Sequence, residues 1–475
     1  MRIAYLAAGA AGMYCGSCLH DNTLAAALQK RGEDIILLPT YTPVRTDEEN
    51  VSEPRVFMGG VNVYLQQKLS LFRYTPRFLD ALFDSKPIMR WLSKRSFSVD
   101  AAKLGDMTVS MLQGSHGHQR KELARLAAWL GKEFKPDIVH LSDALLLGMA
   151  KEIREQTGAA IVCGLSGEDI FLEAMTEPHY SHARELLRQH APDADCYVAM
   201  NRYYADYMTN YMGLDPNRVA IVPHGLDLTG HGQRTLANRA NPDHFVLGYF
   251  ARVCPEKGLH IAAEAFRKLN AGLSSRPVRL HVAGYLAAGE KKYLKDIERK
   301  INKQGLGDLF EYHGEPDREG KIRFLQSLDA MTVPTIYRES KGLSILEAMA
   351  NGVPVIQPEH GSFPEMIADT GGGVLFKPED ADALAAAVLP FVDDQALIEK
   401  FGSSGRAAVL HRYHADAMAK ATQQLYERVL REHRRQAEPT EAATSTHNQD
   451  THSANNSPKE TPPATPPVRE SSTSK

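Results

Sequence analysis

The sequence lacks any apolar run long enough to cross a bilayer, which takes roughly 18 to 20 consecutive apolar residues. The apolar run near its start, Ile3–Ala8, is too short for a secretory signal with a cleavage site, and it predicts a first β-strand instead. We therefore expect a cytoplasmic protein.

Cysteine is scarce, and neither sign of charge dominates. The five cysteines are odd in number and scattered along 475 residues, which fits a reducing compartment better than a disulfide framework. The 55 basic and 58 acidic residues give a formal net charge of -3. So small an imbalance gives no reason to expect a nucleic-acid partner.

Short apolar runs alternate with amphipathic stretches along most of the chain. This alternation predicts the α/β class, with mostly parallel sheets covered by helices on both faces. In the first half we predict strands at Ile3–Ala8, Asp34–Leu38, Ile138–Leu141, Ile161–Gly164, Cys196–Ala199 and Val219–Val222. In the second half we predict strands at Phe245–Tyr249, Val278–Val282, Phe310–Tyr312, Ala330–Val333, Val353–Ile356 and Gly373–Phe376.

The chain is too long for one ordinary core, so the repeated pattern predicts two doubly wound, Rossmann-like domains that face a cleft. We set the first domain at 1–227, a polar linker at 228–243 and the second domain at 244–410. A C-terminal helix is predicted at 411–435, and the Thr-, Ser- and Pro-rich tail at 436–475 is expected to be disordered. Ligands of such sheets bind beyond the carboxyl ends of the strands, so we expect the site in the cleft.

The most informative segment is Pro334–Ile356, which reads as a strand, a loop and a helix. The loop carries Glu339 and Gly342, and the helix begins near Leu343 with Glu347 about one turn inside it. The free N–H groups of a helix N-terminus suit a phosphate, and a carboxylate one turn further can accept both hydroxyls of a ribose. Two glutamates at this spacing are common by chance, so the predicted nucleotide site depends on the whole segment.

A second segment, Gly248–Gly258, follows the first strand of the second domain. Arg252 and Lys257 lie there between a strand and a helix. Two fixed cations in this position can neutralise a diphosphate both when it binds and when it leaves. Each of them alone would be read as a surface cation, but the placement favours a diphosphate site.

Together these segments resemble the retaining glycosyltransferases of family 4, which have the two-domain GT-B fold. The spacing of Glu339 and Glu347 is similar to that family's E-x7-E motif, and Arg252 and Lys257 match its diphosphate-binding pair. Further similarities to the family's motifs lie at Pro136–His140, Pro223–Asp227, His360–Glu365 and Gly372–Asp380. The resemblance covers roughly residues 1–434 and is most specific in the second domain.

The resemblance implies roles for the matching residues of the second domain. Glu347 would hold the ribose of a nucleotide-sugar donor, and Glu339 would face the transferred sugar. The backbone N–H groups of Gly342 and Leu343 would bind the donor phosphate.

The resemblance also implies how the rest of the donor is held. Arg252 and Lys257 would stabilise the leaving diphosphate, so no metal and no other cofactor is expected. Gly16, after the first strand, would approach the donor phosphate from the first domain, and the base would lie near Gly284 and Gly314. The family is usually described without a covalent nucleophile and with a front-face route to retention, which leaves positioning and leaving-group stabilisation as the catalytic devices.

One position departs from the family's pattern. The family often has a His-Gly pair after the strand that corresponds to Ile161–Gly164, in contact with the transferred sugar, and Ser166 stands here where that His would be. A hydroxyl can still bind a sugar, so Ser166 stays a catalytic candidate. We expect Ser166 and Asp169 to line the cleft.

The resemblance implies transfer of a hexose or a related sugar from a nucleotide-sugar to a glycan, lipid or small-molecule acceptor. UDP is the nucleotide expected, by its frequency in the family. Two alternatives stay open. One is a non-catalytic protein that binds a nucleotide-sugar or a glycan, and the other is a GT-B-like epimerase.

Two further features of the sequence have competing interpretations. Cys15 and Cys18 form a C-x-x-C, which is typical of a redox site or, with His20, of a metal site. No second cysteine pair lies nearby and the chain lacks the organisation of a thioredoxin, which favours two small residues that pack a tight loop. The segment Lys68–Arg95 is basic and amphipathic. It can dock peripherally on an anionic membrane surface, or it can form a solvated helical insertion over the cleft.

Overall fold

The computed structural model describes residues 1–9, 16–54, 56, 58, 101–232 and 243–437. Cys15, the basic segment Lys68–Arg95, most of the predicted linker and nearly all of the predicted disordered tail lie outside the described residues. The interpretations given above for these parts of the chain stay predictions.

The first part of the chain forms a six-stranded parallel sheet with the order β2-β1-β3-β4-β5-β6. Its strands are β1 (Arg2–Ala7), β2 (Asp34–Pro39), β3 (Ile138–Leu141), β4 (Ala160–Leu165), β5 (Cys196–Ala199) and β6 (Val219–Ile221). The helices that accompany it are α1 (Gly16–Lys30), α2 (Ala101–Leu112), α3 (Arg120–Trp129), α4 (Ala150–Thr157), α5 (Glu168–Glu173), α6 (His179–His190) and α7 (Arg202–Met212).

The second part forms another six-stranded parallel sheet, with the order β12-β11-β10-β7-β8-β9. Its strands are β7 (Phe245–Phe250), β8 (Val278–Ala283), β9 (Phe310–Tyr312), β10 (Ala330–Met331), β11 (Val355–Pro358) and β12 (Gly373–Phe376). The helices are α8 (Leu259–Lys268), α9 (Lys291–Lys303), α10 (Arg318–Gln326), α11 (Leu343–Ala350), α12 (Phe363–Thr370), α13 (Ala381–Asp393), α14 (Gln395–Arg412) and α15 (Ala415–Ala437).

The apolar composition of the strands follows from their burial on both faces of each sheet. All six residues of β4 are buried, and β7 is buried from Phe245 to Tyr249. Parallel strands covered by helices on both sides read as continuous apolar runs instead of alternating ones. This is why the short apolar runs of the sequence locate the strands.

The strand order places two loops where a doubly wound sheet binds its ligands. In the first sheet β1 has β2 on one side and β3 on the other, and in the second sheet β7 lies between β8 and β10. At such a point the connections diverge to opposite faces and leave a crevice at the carboxyl ends of the strands. Gly16 begins the helix that follows β1, and Arg252 comes just after β7.

The last helix returns to the first sheet. Met418, Tyr426 and Val429 of α15 belong to the same buried apolar cluster as Ile3 and Leu28. The chain crosses back where the Leu226 N–H donates to the Tyr413 carbonyl at 2.9 Å. Both sheets therefore belong to one compact unit, Met1–His433.

Hydrophobicity along the helices agrees with the lack of long apolar runs in the sequence. Within the part of the chain that the structure describes, we find no helix with both the length and the apolar character that a membrane span requires.

Candidate active site

Glu339 lies in the loop between β10 and α11, where it is partly buried in a polar environment. Lys257 Nζ is 2.7 Å from one carboxylate oxygen, the Tyr337 hydroxyl donates to the same oxygen at 3.2 Å, and the Lys341 N–H donates to the other oxygen at 3.2 Å. Burial acts to raise the pKa of Glu339, but Lys257 and the Lys341 N–H together lower it to about 2. The carboxylate is therefore ionised at neutral pH beside a charged lysine.

Two glycines allow this ion pair to form across separate loops. Gly258 has a φ of +75°, and a methyl group on its Cα would lie 1.8 Å from the Pro334 carbonyl oxygen. Gly361 has a φ of +63°, and a methyl group there would lie 2.6 Å from the Glu339 backbone nitrogen. Any larger residue would separate the loops that carry Lys257 and Glu339, so the geometry accounts for both glycines.

The N-termini of two helices meet in the cleft. Helix α1 begins at Gly16 in the first domain, and α11 begins at Leu343 in the second. A methyl group on Gly16 would lie 3.6 Å from Leu343 Cδ2. Lys341 Nζ donates to the Ser17 hydroxyl at 2.6 Å across the same gap. Two helix N-termini and an ammonium thus converge on one place, which is the arrangement that binds phosphate.

Glu347 is buried one turn inside α11, and it is already paired. Lys321 Nζ of α10 lies 2.6 Å from Glu347 Oε1 and 2.5 Å from Asp47 Oδ2, which belongs to the first domain. Burial acts to lower the pKa of Lys321, but the two carboxylates raise it above its ordinary value, so the ammonium stays charged. Lys321 therefore connects the predicted ribose carboxylate to the first domain.

The second domain presents three further candidates at the ends of β7, β8 and β9. Arg252 is exposed just after β7. The Gly284 N–H donates to the Gly314 carbonyl at 2.8 Å, and a methyl group on Gly284 would lie 2.0 Å from the Ala251 carbonyl oxygen. The loops that follow β7, β8 and β9 are therefore neighbours. A site that holds a base next to a diphosphate would need this arrangement.

Ser166 and Asp169 lie at the carboxyl end of β4, and both are buried. The Ser166 N–H donates to a Glu168 carboxylate oxygen at 2.7 Å, and the Tyr204 hydroxyl donates to Asp169 Oδ1 at 2.6 Å. Burial and the neighbouring Asp143 raise the pKa of Glu168 to about 7. Asp169 thus serves as an acceptor for Tyr204, and its carboxylate is only partly available to a ligand.

The end of β4 packs against the loop that carries Glu339. A methyl group on Gly167 would lie 2.8 Å from the Ser340 hydroxyl, and Asn201 Nδ2 donates to the Ser340 carbonyl at 2.6 Å. The Glu365 carboxylate accepts the Arg202 and Tyr203 N–H groups at 2.9 Å each. These contacts hold the first-domain candidate Ser166 opposite the second-domain loop.

A buried histidine pair lies under the first-domain half of the site. His20 Nδ1 and His224 Nδ1 are 2.6 Å apart, so one ring donates to the other. Burial lowers the pKa of His20 to about 3, with a smaller effect from Lys341, and it lowers the pKa of His224 well below the ordinary value. Both rings are therefore neutral at physiological pH.

The structure brings most of the candidate residues to the two facing sheet ends and adds residues that the sequence did not indicate. Glu339, Lys257, Gly342, Leu343 and Gly16 lie around one gap, whereas Glu347 is covered by Lys321. Lys321, Lys341 and the pairing of His20 with His224 were not predicted. Of these, only Lys341 could have been found from the sequence, because it is a cation directly before Gly342. Cys18 is buried in α1, and its predicted partner Cys15 lies outside the described residues.

Two family models match the chain, and between them they cover most of both sheets. The model described as "Glycosyl transferases group 1" matches residues 236–408, and the "Glycosyl transferase 4-like domain" matches residues 22–225. Their boundaries separate the two sheets of the structure.

Among curated proteins, the D-inositol 3-phosphate glycosyltransferase of Streptomyces griseus is 28% identical over 266 residues. That alignment covers 51% of this chain and 56% of the relative. In the first four curated relatives the matched part is 53% to 72% of the relative's length.

Two solved structures are similar along nearly the whole described chain. Sucrose-phosphate synthase from Thermosynechococcus elongatus has a TM-score of 0.67 at 18% identity, and covers 90% of this chain and 99% of that one. Anabaena HepE, in complex with UDP and glucose, has a TM-score of 0.63 at 16% identity, and covers 90% and 100%. Identities this low bear on the fold alone, and they confirm the predicted GT-B arrangement of two Rossmann-like domains.

Proposed function

Because the chain belongs to the group 1 glycosyltransferases of family 4, we propose that it transfers a sugar from a nucleotide-sugar donor to a glycan, lipid or small-molecule acceptor. One observation carries this proposal. The N-termini of α1 and α11 meet across the cleft with Lys341 between them, and the partly buried ion pair of Lys257 and Glu339 joins two adjacent loops. A sugar diphosphate is a ligand whose charge and shape suit such a gap.

The donor that we propose is a UDP-sugar. The solved HepE structure, which is similar in fold, contains UDP and glucose. In the present chain the diphosphate would lie against the N–H groups of Gly342 and Leu343, with Gly16 allowing close approach from the other side. Lys257, Lys341 and Arg252 would supply the positive charge that a metal supplies in other transferases, so we propose a metal-independent reaction.

The proposed reaction proceeds with retention at the anomeric carbon. The bond from that carbon to the diphosphate oxygen breaks, and the acceptor hydroxyl bonds to the same face. The proton of the acceptor passes to the departing phosphate oxygen. Lys257 stabilises the leaving diphosphate, while Glu339, held ionised by Lys257, accepts hydrogen bonds from hydroxyls of the transferred sugar. Glu347 accepts hydrogen bonds from the ribose hydroxyls. Lys321 must therefore share or release the Glu347 carboxylate when the donor binds.

Turnover of nucleotide-sugars by the full chain tests this proposal. UDP-, GDP- and ADP-sugars are incubated with and without an acceptor panel, and released nucleotide and product anomers are measured. Acceptor-dependent release from one donor with a retained anomer is expected. Rearranged sugar without acceptor would favour an epimerase and contradict transfer.

A second candidate function rests on Ser166, which stands where the family often has a sugar-contacting His. Its backbone N–H is engaged by Glu168. A chain that lacks that His could bind a nucleotide-sugar without transferring it. Donor binding with no turnover against any acceptor would favour this non-catalytic function. The peripheral membrane docking predicted for Lys68–Arg95 stays a separate prediction.

A further inference from the structure

Three potential metal ligands lie together on one face of the edge pair of strands in the second sheet. His281 of β8 is paired directly with Glu311 of β9 in the parallel register. His313 follows Glu311 by two residues. Because successive side chains of a strand point to opposite faces, Glu311 and His313 share a face, and His281 faces the same side beside them.

The distances between the three side chains are short. His281 Nε2 lies 4.0 Å from Glu311 Oε2, and His313 Nδ1 lies 3.6 Å from Glu311 Oε1. One ligand atom from each residue lies within 4.8 Å of the others. Ligands bound to one zinc ion at about 2.1 Å are roughly 3.4 Å apart in a tetrahedron, so side-chain movements of about 1 Å close the site.

A separate observation points to a ligand at this place. His281 is only 6% exposed, and neither of its ring nitrogens has a hydrogen-bond partner among the residues that the structure describes. A buried polar group without a partner is costly, and most such groups in native proteins are satisfied. A metal ion between His281 and Glu311 would satisfy the Nε2 atom that faces the carboxylate.

We propose that His281, Glu311 and His313 bind a divalent transition-metal ion such as Zn²⁺. Two imidazoles and one carboxylate are a ligand set that zinc, cobalt and nickel accept, whereas Mg²⁺ and Ca²⁺ prefer oxygen ligands alone. The Glu311 side chain is 57% exposed and that of His313 is 32% exposed, so the ion can enter from solvent and keep water as a further ligand.

The bound ion fastens the edge strand β9 to β8. His313 directly precedes Gly314, whose carbonyl accepts the Gly284 N–H. The three ligands thus lie next to the loop ends proposed to hold the base, but none of the three has a role in the proposed sugar transfer. Arg279, two residues before His281 on the same strand, lies on the same face. Its charge opposes a cation, so the ion is bound with moderate affinity.

Calorimetric titration of the full chain with ZnCl₂, and visible absorption with CoCl₂, test the site. One equivalent of Zn²⁺ is expected to bind in the wild type and to be lost, or weakened at least about tenfold, in Glu311→Gln and His313→Gln. Both of these positions are partly exposed, so the variants are expected to fold. His281→Gln should have the same effect, and Arg279→Gln should tighten binding.

His411→Gln, a change at an exposed histidine of α14, is the matched control and should bind as the wild type does. The tetrahedral cobalt spectrum should disappear in Glu311→Gln and persist in the control. Unchanged stoichiometry and affinity in both Glu311→Gln and His313→Gln would overturn the proposal. So would a titration in which the wild type binds no zinc.

Discussion

At the scale of single residues, the ion pair of Lys257 and Glu339 contributes to folding stability and also has a role in the proposed reaction. Its atoms are 2.7 Å apart and the two side chains are 19% and 13% exposed. Removing one partner of such a pair leaves the other charge uncompensated, whereas removing both is far less damaging. A variant must therefore separate the loss of folding stability on breaking the pair from any loss of turnover.

Lys257→Met is expected to lower turnover by roughly tenfold to a thousandfold, on the scale of losing one transition-state charge partner. It should also lower the free energy of unfolding by about 3 kcal/mol, because Glu339 is left buried and charged. The double variant Lys257→Met/Glu339→Gln should regain most of that stability and none of the turnover. Urea unfolding and steady-state rates measure both effects. Recovery of turnover in the double variant would assign Lys257 a structural role only.

Glu168 provides a pH-dependent contribution at the same scale. Its pKa is raised from 4.5 to about 7 by burial first and by Asp143 second. The folded state thus binds this proton more tightly than the unfolded chain does. The stability from Glu168 is present below about pH 4.5 and is lost as the pH rises through 7, by roughly 3 kcal/mol in all.

Glu168→Gln should remove that part of the pH dependence. Between pH 5 and pH 7.5 the wild type should lose stability relative to the variant, as measured by urea unfolding at each pH. Glu173→Gln, on the same short helix, is the control, since its carboxylate is exposed. Parallel pH profiles for the wild type and Glu168→Gln would show that the carboxyl is ionised in the folded state throughout.

At the scale of elements, α10 links the two domains through cations at its start. Arg318 lies 3.4 Å from Glu48, and Lys321 lies between Asp47 and Glu347. Asp47 and Glu48 belong to the loop that follows β2, whereas Glu347 belongs to α11. Because Lys321 contacts both Glu347, the proposed ribose ligand, and Asp47 of the first domain, we expect the contact across the cleft and binding of the donor to be coupled.

Asp47→Asn is expected to raise the donor KM about fivefold to tenfold, the scale of one charge-assisted hydrogen bond. With Asp47 neutral, Lys321 pairs more tightly with Glu347 and competes with the ribose. Asp34→Asn, which removes an exposed ion pair with Arg2, is the matched control and should leave KM unchanged. Equal donor KM values in Asp47→Asn and the wild type would show that the Asp47–Lys321 contact is not coupled to donor binding.

The sequence predicted the bounds of the strands and helices better than the contacts between distant elements. The strands follow the apolar runs closely, since burial on both faces imposes those runs: β2 was predicted at Asp34–Leu38 and spans Asp34–Pro39. The C-terminal helix was also predicted, but its packing on the first sheet was not. Tyr426 contacts His140 from 286 positions away, and no local pattern encodes such a contact.

At the scale of the whole molecule, the site is formed by two sheets that approach each other from separate halves of the chain. Glu339, Lys257 and Gly342 could be found because they lie in contiguous motifs next to strand ends. Lys321 could not, because its role depends on Asp47 and Glu347, which are far from it in sequence. The same holds for His20 and His224, whose pairing depends on the packing of the loop after β6 on α1.

The central claim is that a sugar diphosphate binds between the N-termini of α1 and α11, beside Lys341. Thermal unfolding with UDP-, GDP- and ADP-sugars tests it most directly, on the wild type, on Lys341→Met and on Lys377→Met as a surface control. One donor at 100 times its Kd should stabilise the wild type and the control by about 2.7 kcal/mol, and Lys341→Met much less at the same concentration. A shift of equal size in all three proteins, or no shift with any donor, would contradict the account.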